Sequence, residues 1–150
     1  MARFRFKLEA LLEHRQMVEK EKQRRVAQIQ QEIQVIQRQI QDAQMRIALE
    51  NRTLGTRELT GRLDMTYIAT EKKYVGNLQL KIVYAFQKIV EIEKTLAVAR
   101  AELLEAAKAR KVIEKLREKQ LARWREELER KEAAAMDEIG TQLAVRGAQQ

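Results

Sequence analysis

The sequence predicts an all-α protein, a long antiparallel two-helix coiled coil that forms a helical hairpin. Two stretches of apolar residues recur at alternating spacings of three and four, the spacing at which one face of a helix packs against a partner helix. Two glycines lie between the stretches, and the 150 residues include no proline, so little else interrupts a helix. Because each apolar stripe needs a partner, two stripes separated by a turn region predict a hairpin.

The first predicted helix covers about residues 7–54. Its apolar stripe consists of Val26, Ile29, Ile33, Ile36, Ile40, Ala43 and Ile47. Nearer the N-terminus, Leu8, Leu11 and Val18 follow another phase, and the change of phase around residues 22–26 is typical of a stutter. The sequence therefore predicts looser packing before residue 26 than after it.

Residues 55–64 form the predicted turn region. They include Gly55 and Gly61 and continue neither apolar stripe. Asp64 and Thr66 are both candidates for the N-cap of the second helix. A turn centred near residue 60 predicts that Ile33 lies opposite position 87.

The second predicted helix covers about residues 65–139, with a flexible tail at 140–150 because Gly140 is typical of a helix end. Its apolar stripe consists of Val75, Leu78, Ile82, Ala85, Ile89, Ile92, Leu96, Ala99, Leu103 and Ala106. Arg110 and Arg117 then occupy stripe positions, and from about Leu116 onward the helix is predicted to have no partner within the hairpin. The whole chain is predicted to form a single coiled-coil domain.

The net charge of +8 is concentrated at one end of the predicted hairpin. Residues 1–25 contain eight Lys or Arg against four Glu, and residues 100–131 contain eleven against seven. A basic end suggests nucleic acid, anionic lipid or an acidic protein surface, although a solvated face is the commonest reason for such charges. Interleaved glutamates and the lack of an aromatic-rich basic face disfavour nucleic acid, and alternating charges around the helices disfavour a membrane surface.

Catalytic and metal-binding patterns are missing from the sequence. It has no cysteine and one histidine, His14, so it offers no thiolate metal site and no histidine cluster. There is no glycine-rich phosphate loop, and the carboxylates fall on predicted exposed helix faces. The sequence predicts no enzyme activity, no metal and no cofactor. Without a membrane-spanning apolar run or a signal-peptide pattern, it also predicts a cytoplasmic location.

Some apolar residues are predicted to lie on the outer faces, away from the stripes. The second helix carries Leu80, Val83, Tyr84 and Gln87 on one outer strip, and the first carries Arg38, Asp42, Met45 and Leu49. Isolated apolar residues are normal on a protein surface, and residues 53–66 could cover these. The alternative interpretation is a patch that docks a partner protein.

Both ends of the chain resemble the flagellar FliJ family. The opening has a basic and aromatic motif, then a leucine pair and an arginine: Phe4-Arg5-Phe6-Lys7-Leu8-Glu9, Leu11-Leu12 and Arg15. The C-terminal part has a Lys-, Arg- and Glu-rich helix through Leu121, Trp124 and Glu132, followed by Met136-Asp137-Glu138-Ile139. Together with the length and the predicted hairpin, the resemblance covers the whole chain.

The resemblance implies a component of the bacterial flagellar type III export apparatus. Such a protein is a coiled-coil stalk that docks in the hexameric export ATPase, FliI, and couples it to the membrane export gate protein, FlhA. It assists flagellar protein export, and hence motility and chemotaxis, and substrate chaperones are a further implied class of partner. The implied location is cytoplasmic, peripheral at the inner membrane, with the membrane reached only through the gate and no nucleic acid bound.

The resemblance also implies two sets of binding residues. The ATPase-binding set lies at the open end of the hairpin: Phe4, Phe6, Leu8, Leu12, Arg117, Arg123, Trp124 and Arg125. The gate-binding set lies on the outer faces: Arg38, Met45, Leu49, Leu80, Val83, Tyr84 and Gln87. Met45 and Leu49 stand where the family often has aromatic residues. A basic structural coiled coil, a nucleic-acid-binding coiled coil and the stalk of an injectisome remain as alternatives.

Overall fold

The computed structural model describes the backbone of residues 3–59 and 64–149. Helix α1 spans Glu9–Leu59 and helix α2 spans Met65–Ala148, and these ranges contain no strand. The two helices pack against each other in antiparallel directions, since Leu12 contacts Ile113 while Ile40 lies beside Ile82. The prediction of an all-α antiparallel helical hairpin is confirmed.

The chain divides into two compact units, and each contains part of both helices. The central unit is Lys20–Leu104, and the terminal unit consists of the chain up to Glu19 and from Glu105 onward. On α1 the boundary lies just before the predicted change of phase at residues 22–26. The prediction of a single domain stays a prediction.

The core of the central unit is built from the two predicted stripes. Its buried members are Ile29, Ile33, Ile36, Ile40, Ile89, Leu96 and Ala99, with Val26, Ile82, Ala85 and Ile92 packed against them. Ile29 is the most enclosed side chain, with 1% of its surface exposed. Spacings of three and four keep these side chains on one face of each helix, so they meet across a continuous seam.

The terminal unit has a smaller apolar cluster that includes residues preceding α1. Phe6, Leu12 and Ile113 are buried together, and Phe4 and Leu11 pack against them. Phe6 also accepts a backbone hydrogen bond from Glu9 N, which starts the first turn of α1. The non-helical N-terminal residues are therefore part of the packed structure.

The turn region is shorter than predicted, because α1 continues through Gly55 to Leu59. A single glycine costs a helix only about 1 kcal/mol relative to alanine, which does not force an end. Thr53 and Thr56 donate side-chain hydrogen bonds to the carbonyls of Leu49 and Arg52, as threonines within a helix commonly do. Gly61 and the centre of the predicted turn lie outside the described residues.

Asp64 is the N-cap of α2. Its Oδ1 atom accepts a hydrogen bond of 3.0 Å from the backbone N–H of Thr66, and its carbonyl accepts one from Ile68 N. Of the two predicted candidates, Asp64 therefore caps the helix, since its side chain satisfies an N–H that has no partner within the first turn.

The predicted end of α2 near Ile139 is wrong, because the helix continues to Ala148. The residues predicted as a flexible tail from 140 are helical as far as Ala148. Gly140 lies within the helix, and Thr141 donates a hydrogen bond of 2.8 Å to the Asp137 carbonyl. No proline follows, so nothing obliges the helix to end at the glycine.

The helix pairing is shifted from the predicted register. Ile33 lines a groove with Glu93 and Leu96, not with position 87. Because α1 continues to Leu59, the connection lies later in the sequence than predicted. Each residue of α1 therefore lies opposite a residue of α2 with a higher number than predicted. Within the described ranges, neither helix has a segment that is both long enough and apolar enough to cross a bilayer.

Candidate partner-binding surfaces

The N-terminal residues Phe4 and Phe6 lie against α2. The rings of Phe4 and Trp124 have centroids 5.9 Å apart and planes tilted by 55°, a geometry typical of favourable aromatic pairs. The guanidinium of Arg117 lies 5.9 Å from the centre of the Phe4 ring, within cation–π range. Aromatic and basic residues alternate from Phe4 to Lys7, so that both rings face α2 while Arg5 and Lys7 are exposed.

This packing corrects one prediction, the lack of a partner for the end of α2, and shows that two residues predicted to bind an ATPase are buried. Trp124 has a partner within the chain, so the prediction that α2 lacks one from about Leu116 onward is wrong for this residue. Phe6 and Leu12 were predicted to bind an ATPase, but only 8% and 4% of their surfaces are exposed. They form the core of the terminal unit, whereas Leu8, Arg123 and Arg125 of the same predicted set are exposed.

Ion pairs replace apolar contacts along part of the seam in the terminal unit. Arg110 pairs with Glu19 across the helices and with Glu114 one turn further along α2. Arg117 Nε donates to Glu9 Oε2 at 3.0 Å, and Arg15 donates to the Ala109 carbonyl at 2.7 Å. The two arginines at stripe positions thus have carboxylate partners, which explains how the seam tolerates them.

The carboxylates around Arg110 keep its guanidinium charged. Hydrogen bonds to Glu114 and Glu19 raise the pKa of Arg110 above its usual value. A raised pKa on a cation stabilises the folded state at every pH below the unfolded-state pKa, and that contribution is lost only as pH rises through the folded-state pKa. The contribution of Arg110 to stability therefore does not change with pH near neutrality.

Replacing Phe4 by alanine is expected to expose Trp124 to water, because Phe4 covers one side of the indole. Trp124 is the only tryptophan, so its fluorescence emission should move to longer wavelength and its quenching by iodide should increase. Phe86→Ala removes an exposed ring of the central unit and should leave the emission unchanged. Equal emission from the Phe4 variant and the native protein would contradict the observed contact.

The residues of the predicted gate-binding set are all exposed, but they do not form one patch. Leu80 and Tyr84 are 53% and 64% exposed, and Met45 and Leu49 are 65% and 62% exposed. In a pair of helices the outer faces point in opposite directions, because each lies opposite the shared seam. The α1 group, which includes Arg38, is therefore separated from the α2 group by the thickness of the helix pair.

A groove between the helices of the central unit extends the α2 group. Its volume is about 450 Å³, and it is lined by Ile36, Gln39, Ile40, Ala43, Lys81, Ile82, Tyr84, Ala85 and Lys88. Ala43 and Ala85 occupy stripe positions where most of the seam has larger residues. Their small side chains leave the indentation, Tyr84 forms one wall, and Lys81 and Lys88 add positive charge.

A second groove adjoins the first one along α2. It has a volume of about 370 Å³ and is lined by Tyr74, Asn77, Leu78, Leu80, Lys81 and Tyr84. Leu80 and Tyr84 of the predicted gate-binding set thus line grooves, whereas Val83 and Gln87 line neither of these two. The sequence pattern did not indicate the grooves, although the two alanines in the stripes were a signal for a gap in the seam.

Comparison with known proteins agrees with the fold and with the opening motif. The family model described as flagellar FliJ protein matches residues 4–149. No significant match is found among curated proteins or among solved structures. The match includes the N-terminal aromatic residues and the whole of both helices. The chain therefore belongs to the FliJ family, whose members work within the flagellar export apparatus and are not enzymes.

Proposed function

We propose that this protein is the coiled-coil stalk of a flagellar export apparatus. Its terminal unit binds the hexameric export ATPase, and its central unit binds the membrane export gate protein, so that the stalk couples the two. The family match over residues 4–149 is the observation that carries this proposal. The protein would then act in the cytoplasm, peripheral to the inner membrane through the gate, and its loss would impair export and motility.

The grooves of the central unit support the gate-binding half of the proposal. The apolar floor of the larger groove, formed by Ile40, Ile82 and their neighbours, offers area to the apolar face of a helix. Lys81 and Lys88 add charge that would attract acidic residues on such a helix. We therefore assign gate binding to the α2 side of the central unit, with Leu80 and Tyr84 as its central apolar contacts.

The double variant Leu80→Ala with Tyr84→Ala is expected to abolish gate binding and swarming motility. Both side chains are exposed, so the melting temperature should change little, as surface substitutions usually alter stability by no more than about 0.5 kcal/mol. Binding to the purified cytoplasmic part of the gate protein can be measured by calorimetry.

The matched control is Met45→Ala with Leu49→Ala on the opposite face. These residues are as exposed as the first pair, and their substitution removes apolar surface of similar extent. We expect the control to retain gate binding and motility. Loss of binding in the control together with retention in the α2 variant would reject our assignment of the gate to α2.

The ATPase-binding half of the proposal rests on the exposed cations of the terminal unit. Arg123 and Arg125 are exposed, and neither forms an ion pair in the part of the chain that the structure describes. Arg117 is a poor choice for a binding test, because it holds Glu9 and covers Phe4. Addition of the native protein should stimulate the hexameric ATPase, and Arg123→Glu with Arg125→Glu should weaken that stimulation. A failure of the native protein to stimulate would refute this half.

A further inference from the structure

A row of lysines follows the outer face of α2 in the terminal unit. Lys108, Lys111, Lys115 and Lys119 are all exposed and are spaced by three, four and four residues. A helix places such residues above one another, about 6 Å apart for a spacing of four. We call Lys111, Lys115 and Lys119 the lysine row, because Lys108 is paired with Glu105.

The lysine row points away from the seam. Ile113 is buried against α1 and marks the side of α2 that faces the seam. Lys111 lies two residues before Ile113 and Lys115 two residues after it, so each is turned about 160° around the helix axis from Ile113. None of the three lysines of the row forms an ion pair within residues 3–59 and 64–149. Like charges at a spacing of four repel each other along a helix, so the row opposes the fold slightly.

Two carboxylates of α2 lie within one helical turn of the row, Glu114 and Glu118, and only Glu114 is held elsewhere. Glu114 lies three residues after Lys111, within reach of it on the helix surface, but pairs with Arg110. Across the seam, Glu19 and Glu9 are held by Arg110 and Arg117. The polar seam therefore keeps most of the negative charge at the helix interface, and Glu118, three residues after Lys115, is the one carboxylate of α2 within a turn of the row that is left to oppose its three lysines.

We propose that the lysine row is the electrostatic contact for an acidic protein surface whose carboxylates are spaced about one helical turn apart. The inference rests on the proposed function, which would place that surface on the export ATPase. The borders of the row favour a protein over a phosphate polyanion. Glu118 lies beside the row, and the exposed Val112 and Leu116 flank it. A phosphate surface would meet a repelling carboxylate and two apolar side chains, whereas a protein surface can match all three.

The test reverses the lysine row in the full-length protein. Binding of the purified hexameric ATPase is measured from about 50 to 300 mM salt, because screening weakens exposed charge pairs over this range. Lys111→Glu with Lys115→Glu and Lys119→Glu should weaken binding roughly tenfold or more at the lowest salt and should flatten its salt dependence. Lys111→Gln with Lys115→Gln and Lys119→Gln should show a smaller loss, which guards against unfolding as the cause.

Two control variants define specificity. Lys72→Glu with Lys73→Glu and Lys94→Glu makes the same change of net charge on exposed lysines of the central unit. Replacing the lysine row by three arginines retains its charge. Both controls should bind the ATPase like the native protein, and circular dichroism should show equal helix content in all variants.

The outcomes separate the inference from the proposed function. Native binding that is unchanged by both the Glu and the Gln variants would overturn the lysine row and leave the stalk function standing. Absence of native binding to the ATPase would overturn both. Salt-dependent native binding to double-stranded DNA or to phosphatidylglycerol vesicles, lost on reversal while ATPase binding is retained, would assign the row to a phosphate polyanion and reject our inference.

Discussion

Ile29→Ala is expected to lower the free energy of unfolding by about 2–5 kcal/mol, the range for truncating a buried isoleucine. Ile29 is the most enclosed side chain among the residues that the structure describes, and it lies in the central core with Ile33 and Ile36. Each helix contributes a single stripe of side chains to this core. Few neighbours can therefore move into the cavity that the truncation of Ile29 would create. Urea unfolding followed by circular dichroism measures the change.

Val35→Ala is the matched control for this prediction. Val35 lies on the same helix and also loses methyl groups, but about half of its surface is already exposed. Its cost should stay within about 0.5 kcal/mol. Because alanine has the higher helix propensity, Val35→Ala could even stabilise α1 slightly. Equal costs at the two positions would mean that the seam does not hold the central unit together.

The central core could be predicted from the sequence because its periodicity decides which residues face inwards. Ile29, Ile40, Ile89 and Leu96 stand at alternating spacings of three and four, and all four are buried. No other period places these residues on one helix face. The all-α class followed from the same pattern together with the lack of proline.

Helix ends and register could not be predicted as well, because the local signals for them are weak. Gly55 and Gly140 each lie inside a helix although glycine often follows a helix end. The register depends on where the first helix stops, so an error there displaces every cross-helix pair. The sequence limited the cap of α2 to Asp64 or Thr66, and only the hydrogen bond from Thr66 N–H to Asp64 Oδ1 decides between them.

Some predicted binding residues are exposed and others are packed or paired within the chain, and the heptad pattern does not show which contacts cause the difference. The two N-terminal phenylalanines were predicted to bind a partner, but the helix register places Phe4 against Trp124 of the same chain. Arg117 was predicted to be available to a partner, but in the fold its guanidinium is bonded to Glu9. Leu80 and Tyr84 remained exposed because the heptad pattern alone places them away from the seam. Outward positions are thus easier to predict than the pairing of charges across a seam.

Arg110→Glu is expected to be the most disruptive single charge change. The side chains of Arg110 and Glu19 are only 21% and 13% exposed, so water screens their pair poorly. The substitution would place a third carboxylate beside Glu19 and Glu114 and remove the guanidinium that pairs with both. Amide hydrogens of α1 near Leu12 should then exchange with solvent at least roughly tenfold faster, whereas amides near Ile33 in the central unit should keep their protection.

Reversing the pair distinguishes a specific contact from a general loss of charge balance. Adding Glu19→Arg to Arg110→Glu restores an opposite pair across the seam, so protection near Leu12 should recover. The recovery should be partial, because Glu114 then faces a like charge one turn away on its own helix. Arg146→Glu makes the same charge change in the exposed last helical turn of α2 and should leave exchange near Leu12 unchanged. If Arg110→Glu exchanges as slowly as this control, the ion pair does not hold the terminal unit together, and Phe6, Leu12 and Ile113 must be sufficient to do so.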